Sequence, residues 1–157
     1  MRGSVRSGTT QLVIRPADKE RAVRRLVLGE LACVNRQDPR ALVDHFAEDC
    51  EFVDLSDGSS IRGRAAFLAD LLDLFERVPD FHVVESRLAV EGGTVAAEIR
   101  LAGTHVNEWR GHPPTGAEFD WQTCSFYDLS ADGEHLGRER MYYDAGRLDR
   151  QLAGAGA

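Results

Sequence analysis

Residues 81–105, which run FHVVESRLAVEGGTVAAEIRLAGTH, decide the fold. From residue 81 to residue 90 the side chains alternate with a period of two, which predicts a β-strand. Gly92 and Gly93 then give a hairpin signal, and residues 94–105 predict the returning strand. Strands joined by so short a turn pair antiparallel, so this stretch predicts an antiparallel hairpin.

Further strands follow the hairpin, and helices precede it. On the C-terminal side, strands are predicted at residues 117–129 and 136–143, with a short helix at 145–152. On the N-terminal side, a 3.6-residue apolar period predicts helices at residues 17–36, 39–47 and 64–77, with a strand at 51–55 and a turn at 56–59. Helices grouped before antiparallel strands predict an α+β fold, with the helices covering one face of a curved sheet.

The length of 157 residues predicts one domain. We expect a flexible tail at residues 1–16, a single domain at 17–152 and a disordered tail at 153–157. The longest apolar stretch, residues 26–34, is too short to cross a bilayer, so we predict no membrane association.

The charge and the cysteines narrow the classes of partner. Acidic residues outnumber basic ones by 26 to 19, a formal net charge of −7, and no basic patch is visible. We therefore predict no nucleic-acid partner. The three cysteines, Cys33, Cys50 and Cys124, are far apart and lack the spacing of a metal site. We expect buried free thiols, no metal ion and a reducing, cytoplasmic location.

Three motifs identify a related family. They are Asn-x-x-Asp-Pro with His-Phe-Ala-Glu-Asp-Cys-Glu-Phe-Val-Asp at residues 35–54, Gly-Thr-His with a later Pro-Pro-Thr-Gly at 103–116, and Arg-Glu-Arg-Met-Tyr-Tyr-Asp with a later Gln-Leu at 138–152. Together they resemble the SnoaL-like group of polyketide cyclases. That group belongs to the nuclear transport factor 2-like superfamily, which also contains ketosteroid isomerase.

The resemblance implies a specific architecture. It implies a cone-shaped, curved antiparallel β-sheet in which three N-terminal helices close a pocket, followed by a short C-terminal helix. It also implies a hydrophobic small-molecule ligand, no cofactor, and a homodimer formed through the outer face of the sheet. A curved sheet leaves a concave face that side chains or a ligand must fill.

Asp54 is the first candidate catalytic residue. The resemblance places it at the end of a short strand, where ketosteroid isomerase holds its catalytic aspartate. A carboxylate in an apolar pocket can serve as a general base. The alternative is a solvated aspartate that caps the turn at residues 56–59 through Ser56.

His105 and Glu139 are the other candidate catalytic residues. A histidine can shuttle a proton or hydrogen-bond a carbonyl, but His105 could instead orient the loop at residues 113–116. Glu139 lies two residues before Met141 and therefore faces the same way. It could share a proton with Asp54, or it could form an ion pair with an arginine.

The remaining candidates would line the pocket and bind the substrate. Alternation along the strands and the resemblance select Leu31, Phe52, Leu101, Trp109, Trp121, Thr123, Ser125, Met141 and Tyr143. Core packing would explain the aromatic residues equally well. Met141 departs from the family pattern, because the cyclases place a catalytic aspartate at this point of the last strand. Since methionine cannot accept a proton, the base would have to be Asp54 or Glu139.

These residues lead to two functional hypotheses. The first is a cofactor-independent cyclase or isomerase that acts on a hydrophobic, carbonyl-bearing polyketide or related secondary metabolite. Asp54 would remove a proton alpha to the carbonyl, and His105 or Ser125 would hydrogen-bond the enolate oxygen. The alternative is a non-catalytic protein of the same fold that binds a lipophilic small molecule, as the loss of the acid at Met141 would allow.

Overall fold

The structure is a computed structural model that describes residues 16–154. In chain order the elements are α1 (Pro16–Asn35), α2 (Pro39–Val43), β1 (Phe46–Asp54), β2 (Ser59–Arg62), α3 (Arg64–Arg77), β3 (His82–Glu91), β4 (Thr94–Thr104), β5 (Glu118–Leu129), β6 (Leu136–Tyr143) and α4 (Ala145–Leu152). The strands form one six-stranded sheet in the order β2-β1-β6-β5-β4-β3.

The predicted α+β class is confirmed, and one strand pair differs from the expectation. Every neighbouring pair is antiparallel except β1 and β6, which run parallel. Between these two strands the chain passes through β2, α3 and the hairpin strands, a crossover long enough to bring β6 back in the same direction as β1.

The first strand begins earlier than its sequence pattern indicates. The predicted helix at residues 39–47 ends at Val43, and β1 starts at Phe46. Pairing with β6 is the reason, since Phe46 lies opposite Leu136 and the Leu136 amide donates to the His45 carbonyl at 2.8 Å. The short strand β2, which follows the predicted turn, was not expected from the sequence. It forms because β1 offers it an antiparallel partner.

The core lies between the helices and the inner face of the sheet. Alternate residues of β4 are buried, among them Val95, Ala97 and Ile99, as the period of two predicts. The apolar stripe of α1 packs on this face through Val23 and Val27, which are fully buried. Burial of these two surfaces against each other is the main source of stability in such a layered domain.

Irregular register bends the sheet around a concave face. The pairing shifts between Val83 and Glu85 in β3, between Phe46 and Glu51 in β1, and between Asp128 and Leu129 in β5. Such shifts increase local twist and curvature. The helices close over the concave side and leave a cavity between the two layers.

The described part of the chain begins with α1 and ends just after α4. Helix α1 starts at Pro16, one residue inside the expected tail at 1–16, and Ala153 and Gly154 form a turn after α4. The rest of the two predicted tails, residues 1–15 and 155–157, lies outside the described residues. Among residues 16–154, no helix has the length and apolar character needed to cross a membrane.

The cysteines differ in part from the expectation. Cys33 and Cys50 are buried free thiols, as predicted, whereas Cys124 is only partly buried. Cys124 follows the inward-facing Thr123 on β5, so strand alternation turns it toward the outer face of the sheet.

Gly103 packs too closely against its neighbours to accept a side chain. A Cβ atom there would collide with the Val78 side chain and approach the Phe119 ring to 3.3 Å. We expect Gly103→Ala to lower the free energy of unfolding by about 1–3 kcal/mol, the usual cost of overpacking, in a urea denaturation series. Gly93→Ala is the matched control, because its Cβ would meet Leu129 at an ordinary 3.5 Å. Equal losses of stability in the two variants would contradict this account.

Candidate functional site

The cavity between the helices and the sheet has a volume of about 280 Å³. All nine predicted substrate-binding residues line it, together with the candidate catalytic residues Asp54 and Glu139. His105 is absent from the lining. The cavity wall also includes residues that the sequence patterns did not single out, above all Glu30, Arg110 and Tyr127.

Strand register explains which polar groups meet in the cavity. On β5 the residues Thr123, Ser125 and Tyr127 face inward, and they lie opposite Tyr143, Met141 and Glu139 of β6 respectively. On the other side of β6, Asp54 lies opposite Met141 and Phe52 lies opposite Glu139. Two polar groups therefore form, one around Asp54 and Tyr143 and one around Glu139 and Tyr127, and the Met141 side chain separates them.

Asp54 is buried, with 9% of its surface exposed, and accepts three hydrogen bonds. Its Oδ1 accepts from the Ser56 amide at 2.8 Å and from the Ser56 hydroxyl at 2.6 Å, and its Oδ2 accepts from the Tyr143 hydroxyl at 2.8 Å. Asp54 therefore caps the turn through Ser56, as the alternative expected, but it is buried rather than solvated and it lines the cavity. Each carboxylate oxygen can accept two hydrogen bonds, so Oδ2 retains a free acceptor position.

Tyr143 connects Asp54 to a basic group. Burial raises the pKa of Tyr143 to about 12, so its hydroxyl stays protonated. That hydroxyl donates a hydrogen bond to Asp54 Oδ2. The same hydroxyl accepts from Arg110 Nη1 at 3.0 Å, and Arg110 Nε donates to Asp149 of α4 at 2.8 Å. This chain of contacts holds the Tyr143 ring at the cavity wall and fixes the direction in which Asp54 points.

The second polar group contains two buried carboxyls, Glu30 of α1 and Glu139 of β6. Glu139 accepts from the Ser125 hydroxyl at 2.9 Å and also hydrogen-bonds Tyr127. Burial raises the pKa of Glu139 to about 7. Burial, and then the charge of Glu139, raise the pKa of Glu30 well above its ordinary value. The carboxyl that interacts with Glu139 is thus Glu30, and not Asp54 as the sequence suggested.

Polar atoms without a partner point to the places where a ligand would bind. Within residues 16–154, the buried cavity-lining side chains carry three such atoms: Trp121 Nε1, Thr123 Oγ1 and Glu30 Oε2. A buried polar atom left without a hydrogen bond costs about 1–3 kcal/mol. These atoms would gain their missing hydrogen bonds from a ligand.

Aromatic rings form much of the remaining wall. Trp121 is at their centre, with ring-centroid distances of 5.0 Å to Tyr143, 5.6 Å to Trp109 and 6.0 Å to Phe81. Trp109 reaches this cluster from the loop after β4, where a bridge between Trp109 and His112 makes a tight turn. The flat faces of these rings suit an aromatic or polyunsaturated ligand.

Acidic residues surround the cavity on the side of α3 and the β1–β2 turn. Asp57, Asp70 and Asp73 contribute to the lining, and all three are exposed. Partial burial, and then the charges of Asp73 and Asp54, raise the pKa of Asp70. Across the described residues, no group of three or more His, Cys, Asp or Glu side chains is placed to hold a metal ion.

The sequence pattern of the SnoaL-like polyketide cyclases matches residues 24–152. The chain belongs to this family. The cavity and its two polar groups therefore lie within a SnoaL-like domain. A comparison with curated proteins found no match.

Solved structures show the same fold. A candidate polyketide cyclase from Xanthomonas campestris pv. campestris is 23% identical, covers 85% of this chain and 98% of its own, and superposes with a TM-score of 0.77. AclR, a candidate hydroxylase from Streptomyces galilaeus, is 18% identical over 86% of this chain and 98% of its own, with a TM-score of 0.73.

A third structure, from Catenulispora acidiphila, has a ketosteroid isomerase-like fold and contains trimethylamine. It is 21% identical over 83% of this chain and 93% of its own, with a TM-score of 0.68. At these identities the likeness establishes the fold, and the predicted SnoaL-like, nuclear transport factor 2-like architecture is confirmed.

The structure separates His105 from the other two candidate catalytic residues. His105 is fully buried, its Nδ1 lies 3.1 Å from the Thr115 hydroxyl, and its backbone bonds Gly116 and Ala117. These contacts hold the loop at residues 113–116, which is the structural role that the sequence left open. In this SnoaL-like chain the buried carboxyls that line the cavity are therefore Asp54 of β1, Glu139 of β6 and Glu30 of α1.

Glu30 is the site residue that sequence reasoning missed, although a signal was present. It occupies a buried position in the apolar stripe of α1, between Val27 and Leu31. A charged residue is rarely buried in such a stripe unless it has a specific partner. That partner, Glu139, lies more than a hundred residues away in the sequence, so its proximity depends on the fold.

Glu139→Gln is expected to flatten the dependence of stability on pH. The pKa of Glu139 is raised to about 7 from 4.5, so the folded chain holds a proton that the unfolded chain releases. The resulting stability is present below about pH 4.5 and is lost as the pH rises through about 7. The loss is on the order of 3 kcal/mol in the wild type. Glu85→Gln, at an exposed position of β3, is the control and should keep the wild-type slope. Urea denaturation at a series of pH values measures this slope. A Glu139→Gln slope equal to that of the control would contradict the assignment of the raised pKa to Glu139.

Proposed function

We propose that this SnoaL-like protein is a cofactor-independent acid–base enzyme that acts on a hydrophobic, carbonyl-bearing polyketide or related secondary metabolite. The observation that supports the proposal most directly is the position of Asp54. It is a buried carboxylate with a free acceptor position on Oδ2, and it faces an aromatic-walled cavity in which donors lack partners. A base and hydrogen-bond donors in one apolar cavity are the groups that enolate chemistry requires.

The proposed step begins at a carbon next to the carbonyl. Asp54 Oδ2 takes the proton, the electron pair of the C–H bond moves to form a carbon–carbon double bond, and the carbonyl oxygen becomes an enolate. Thr123 Oγ1 and Trp121 Nε1 donate hydrogen bonds to that oxygen. Ser125, the donor expected from the sequence, already donates to Glu139, and His105 lies outside the cavity lining.

The fate of the enolate decides between cyclisation and isomerisation. In a cyclisation the enolate carbon attacks a second carbonyl of the same molecule, the enolate oxygen becomes a carbonyl again, and the new alkoxide takes the proton from Asp54, which restores the carboxylate. In an isomerisation Asp54 returns its proton to a different carbon of the conjugated system. The aromatic walls favour both by holding the substrate in a folded, reactive conformation and by excluding water.

Tyr143 and Arg110 would keep Asp54 ready for the reaction. The Tyr143 hydroxyl donates to Asp54 and accepts from Arg110, so the positive charge of Arg110 acts on the carboxylate through one hydroxyl. When Asp54 becomes protonated, Tyr143 can turn its donor to the substrate without losing the contact to Arg110. This arrangement supports both protonation states of the base.

Met141 supports a second candidate function, the binding of a lipophilic ligand without turnover. Its side chain is buried, lines the cavity and lies opposite Asp54 in the sheet. An aspartate at this point of the last strand is what the resemblance led us to expect. A methionine there widens the apolar wall and removes one proton acceptor, which is the change expected in a carrier or sensor.

The homodimer and the cytoplasmic location are further proposals. The outer face of the sheet presents Val84 and Tyr142, which are 44% and 45% exposed. Both residues lie near Arg100, and Tyr142 also lies near Glu98. A surface of mixed apolar and charged groups supports a modest, partly polar interface.

Asp54→Asn is expected to abolish proton abstraction. The probe is acetophenone in deuterated water, where NMR follows the exchange of its methyl protons for deuterium. Because asparagine cannot accept the proton, the enzyme-dependent exchange rate should fall by about a hundredfold or more. Acetophenone should still bind, since the aromatic wall is unchanged.

Asp49→Asn is the matched control, because Asp49 lies on the same strand but is exposed. It should exchange at the wild-type rate. Wild-type exchange that survives in Asp54→Asn would rule out Asp54 as the base. Binding of acetophenone by the wild type with no exchange above the buffer rate would favour the binding protein.

Thr123→Val tests the hydrogen bond to the enolate oxygen. The substitution removes a buried hydroxyl that has no partner, so the free energy of unfolding should rise by up to about 1 kcal/mol. The exchange rate should nevertheless fall about tenfold or more, because the enolate loses a donor. Opposite effects on stability and rate distinguish this role from simple packing, and a rate unchanged from the wild type would contradict it.

A further inference from the structure

The buried end of the cavity contains a group of polar side chains that the proposed reaction does not use. Glu30, Tyr127 and Glu139 all line the cavity, and their exposed fractions are 6%, 1% and 5%. Glu139 is bonded to Ser125, and Tyr127 is engaged with the two carboxyls. Glu30 Oε2 has no hydrogen-bond partner and is therefore the atom that remains for a ligand.

Among residues 16–154, no arginine, lysine or histidine is paired with Glu30 or Glu139. Arg110 lines the same cavity, but it is engaged with Asp149 and Tyr143. Among the described residues, the titratable groups that act on Glu30 are Glu139 of β6 and Tyr127 of β5. The side chains that hydrogen-bond Glu139 are Ser125 and Tyr127, both on β5. Cys33 lies one turn further along α1, and Asp54 faces the same cavity from β1, and neither brings a positive charge. Two buried carboxyls without a cation share at least one proton, because two negative charges at this depth would be far too costly.

We propose that Glu30 forms a second ligand subsite, in which its protonated carboxyl donates a hydrogen bond from Oε2 to an acceptor oxygen of the ligand. The proposal rests on the proposed function, since it concerns the far end of the same carbonyl-bearing ligand. Tyr127 hydrogen-bonds both Glu30 and Glu139, and these contacts position the Glu30 carboxyl. The class of ligand is a neutral compound with a second carbonyl or similar acceptor oxygen, and not an amine.

The register of β6 gives the spacing of the two polar groups along the sheet. Asp54 lies opposite Met141, and Glu139 lies two residues before Met141 on β6. Two residues of a strand span about 7 Å. The Met141 side chain occupies the interval, so the ligand would carry an apolar segment between an activated carbonyl near Asp54 and an acceptor oxygen near Glu30.

Three small ketones test the subsite. Acetophenone carries one carbonyl, para-diacetylbenzene carries a second carbonyl at the opposite end of the ring, and para-(aminomethyl)acetophenone carries a cation there. Their dissociation constants are measured by NMR titration on the full chain. In the wild type at about pH 6, we expect para-diacetylbenzene to bind about tenfold more tightly than acetophenone, and the amine to have no such advantage.

Two substitutions at Glu30 separate donation from packing. Glu30→Gln keeps an N–H donor that does not titrate, so the advantage of the second carbonyl should persist and be independent of pH. Glu30→Leu has no donor, so the ratio of the two dissociation constants, measured within the same variant, should fall to about one. Neither variant buries a new charge, and thermal melts confirm that each is folded. Glu85→Gln is the surface control.

The outcomes distinguish the subsite from the reaction. An advantage of the second carbonyl that survives in Glu30→Leu, or that grows as the pH rises, would overturn the subsite. Tighter binding of the amine than of either ketone would overturn it as well, because the carboxyls would then act as a cation site. If acetophenone itself fails to bind in the cavity, the proposed function fails, and the subsite fails with it.

Discussion

The parallel pairing of β1 with β6 is the constraint on which the site depends. It brings together Asp54 and Tyr143, which are 89 positions apart in the chain and joined by a 2.8 Å hydrogen bond. An antiparallel partner for β1 would reverse the direction of the strand and place a different pair of side chains beside Met141. The parallel register also places Phe52 opposite Glu139, so the two polar groups of the cavity have a fixed separation. The helices then close the cavity over polar side chains of β1 and β6 whose spacing the sheet has set.

The cavity combines features that oppose each other energetically. Its aromatic walls gain stability from burial, whereas its unpartnered Trp121, Thr123 and Glu30 atoms and its buried carboxyls reduce stability. A packing core would replace such groups with apolar side chains of similar volume. Their presence on β5 and α1, in the lining of the cavity, supports the ligand that we propose, because packing alone would not retain them. This argument does not depend on the resemblance to the SnoaL-like cyclases, although both lead to the same cavity.

Much of the fold could be predicted from local patterns, and the site could be predicted only in part. The alternation from Phe81 onward located β3 to β6, because one buried face imposes a period of two. The start of β1 and the existence of β2 depend on pairing with distant partners, which no local pattern contains. Asp54 and the pocket walls followed from the family resemblance together with strand parity, but the pairing of Glu139 with Glu30 required knowing where α1 crosses the sheet. His105 was misleading because a motif specifies a residue and not the direction of its side chain.

The last helix, α4, restrains the Asp54 carboxylate through a series of side-chain contacts. Asp149 of α4 accepts from Arg110, and Arg110 donates to the Tyr143 hydroxyl. That hydroxyl donates to Asp54, so three contacts connect α4 to the last residue of β1. The helix is itself fastened to the sheet, through Gln151 on the Asp120 backbone and through the buried Leu148 and Leu152. Fraying of these eight residues would release the arginine and leave Tyr143 free to rotate. A chain without this helix would keep the Ser56 bonds to Asp54 Oδ1 but would lose the Asp149 anchor of Arg110, so the Tyr143 contact on Oδ2 is fixed only after the last helix has docked.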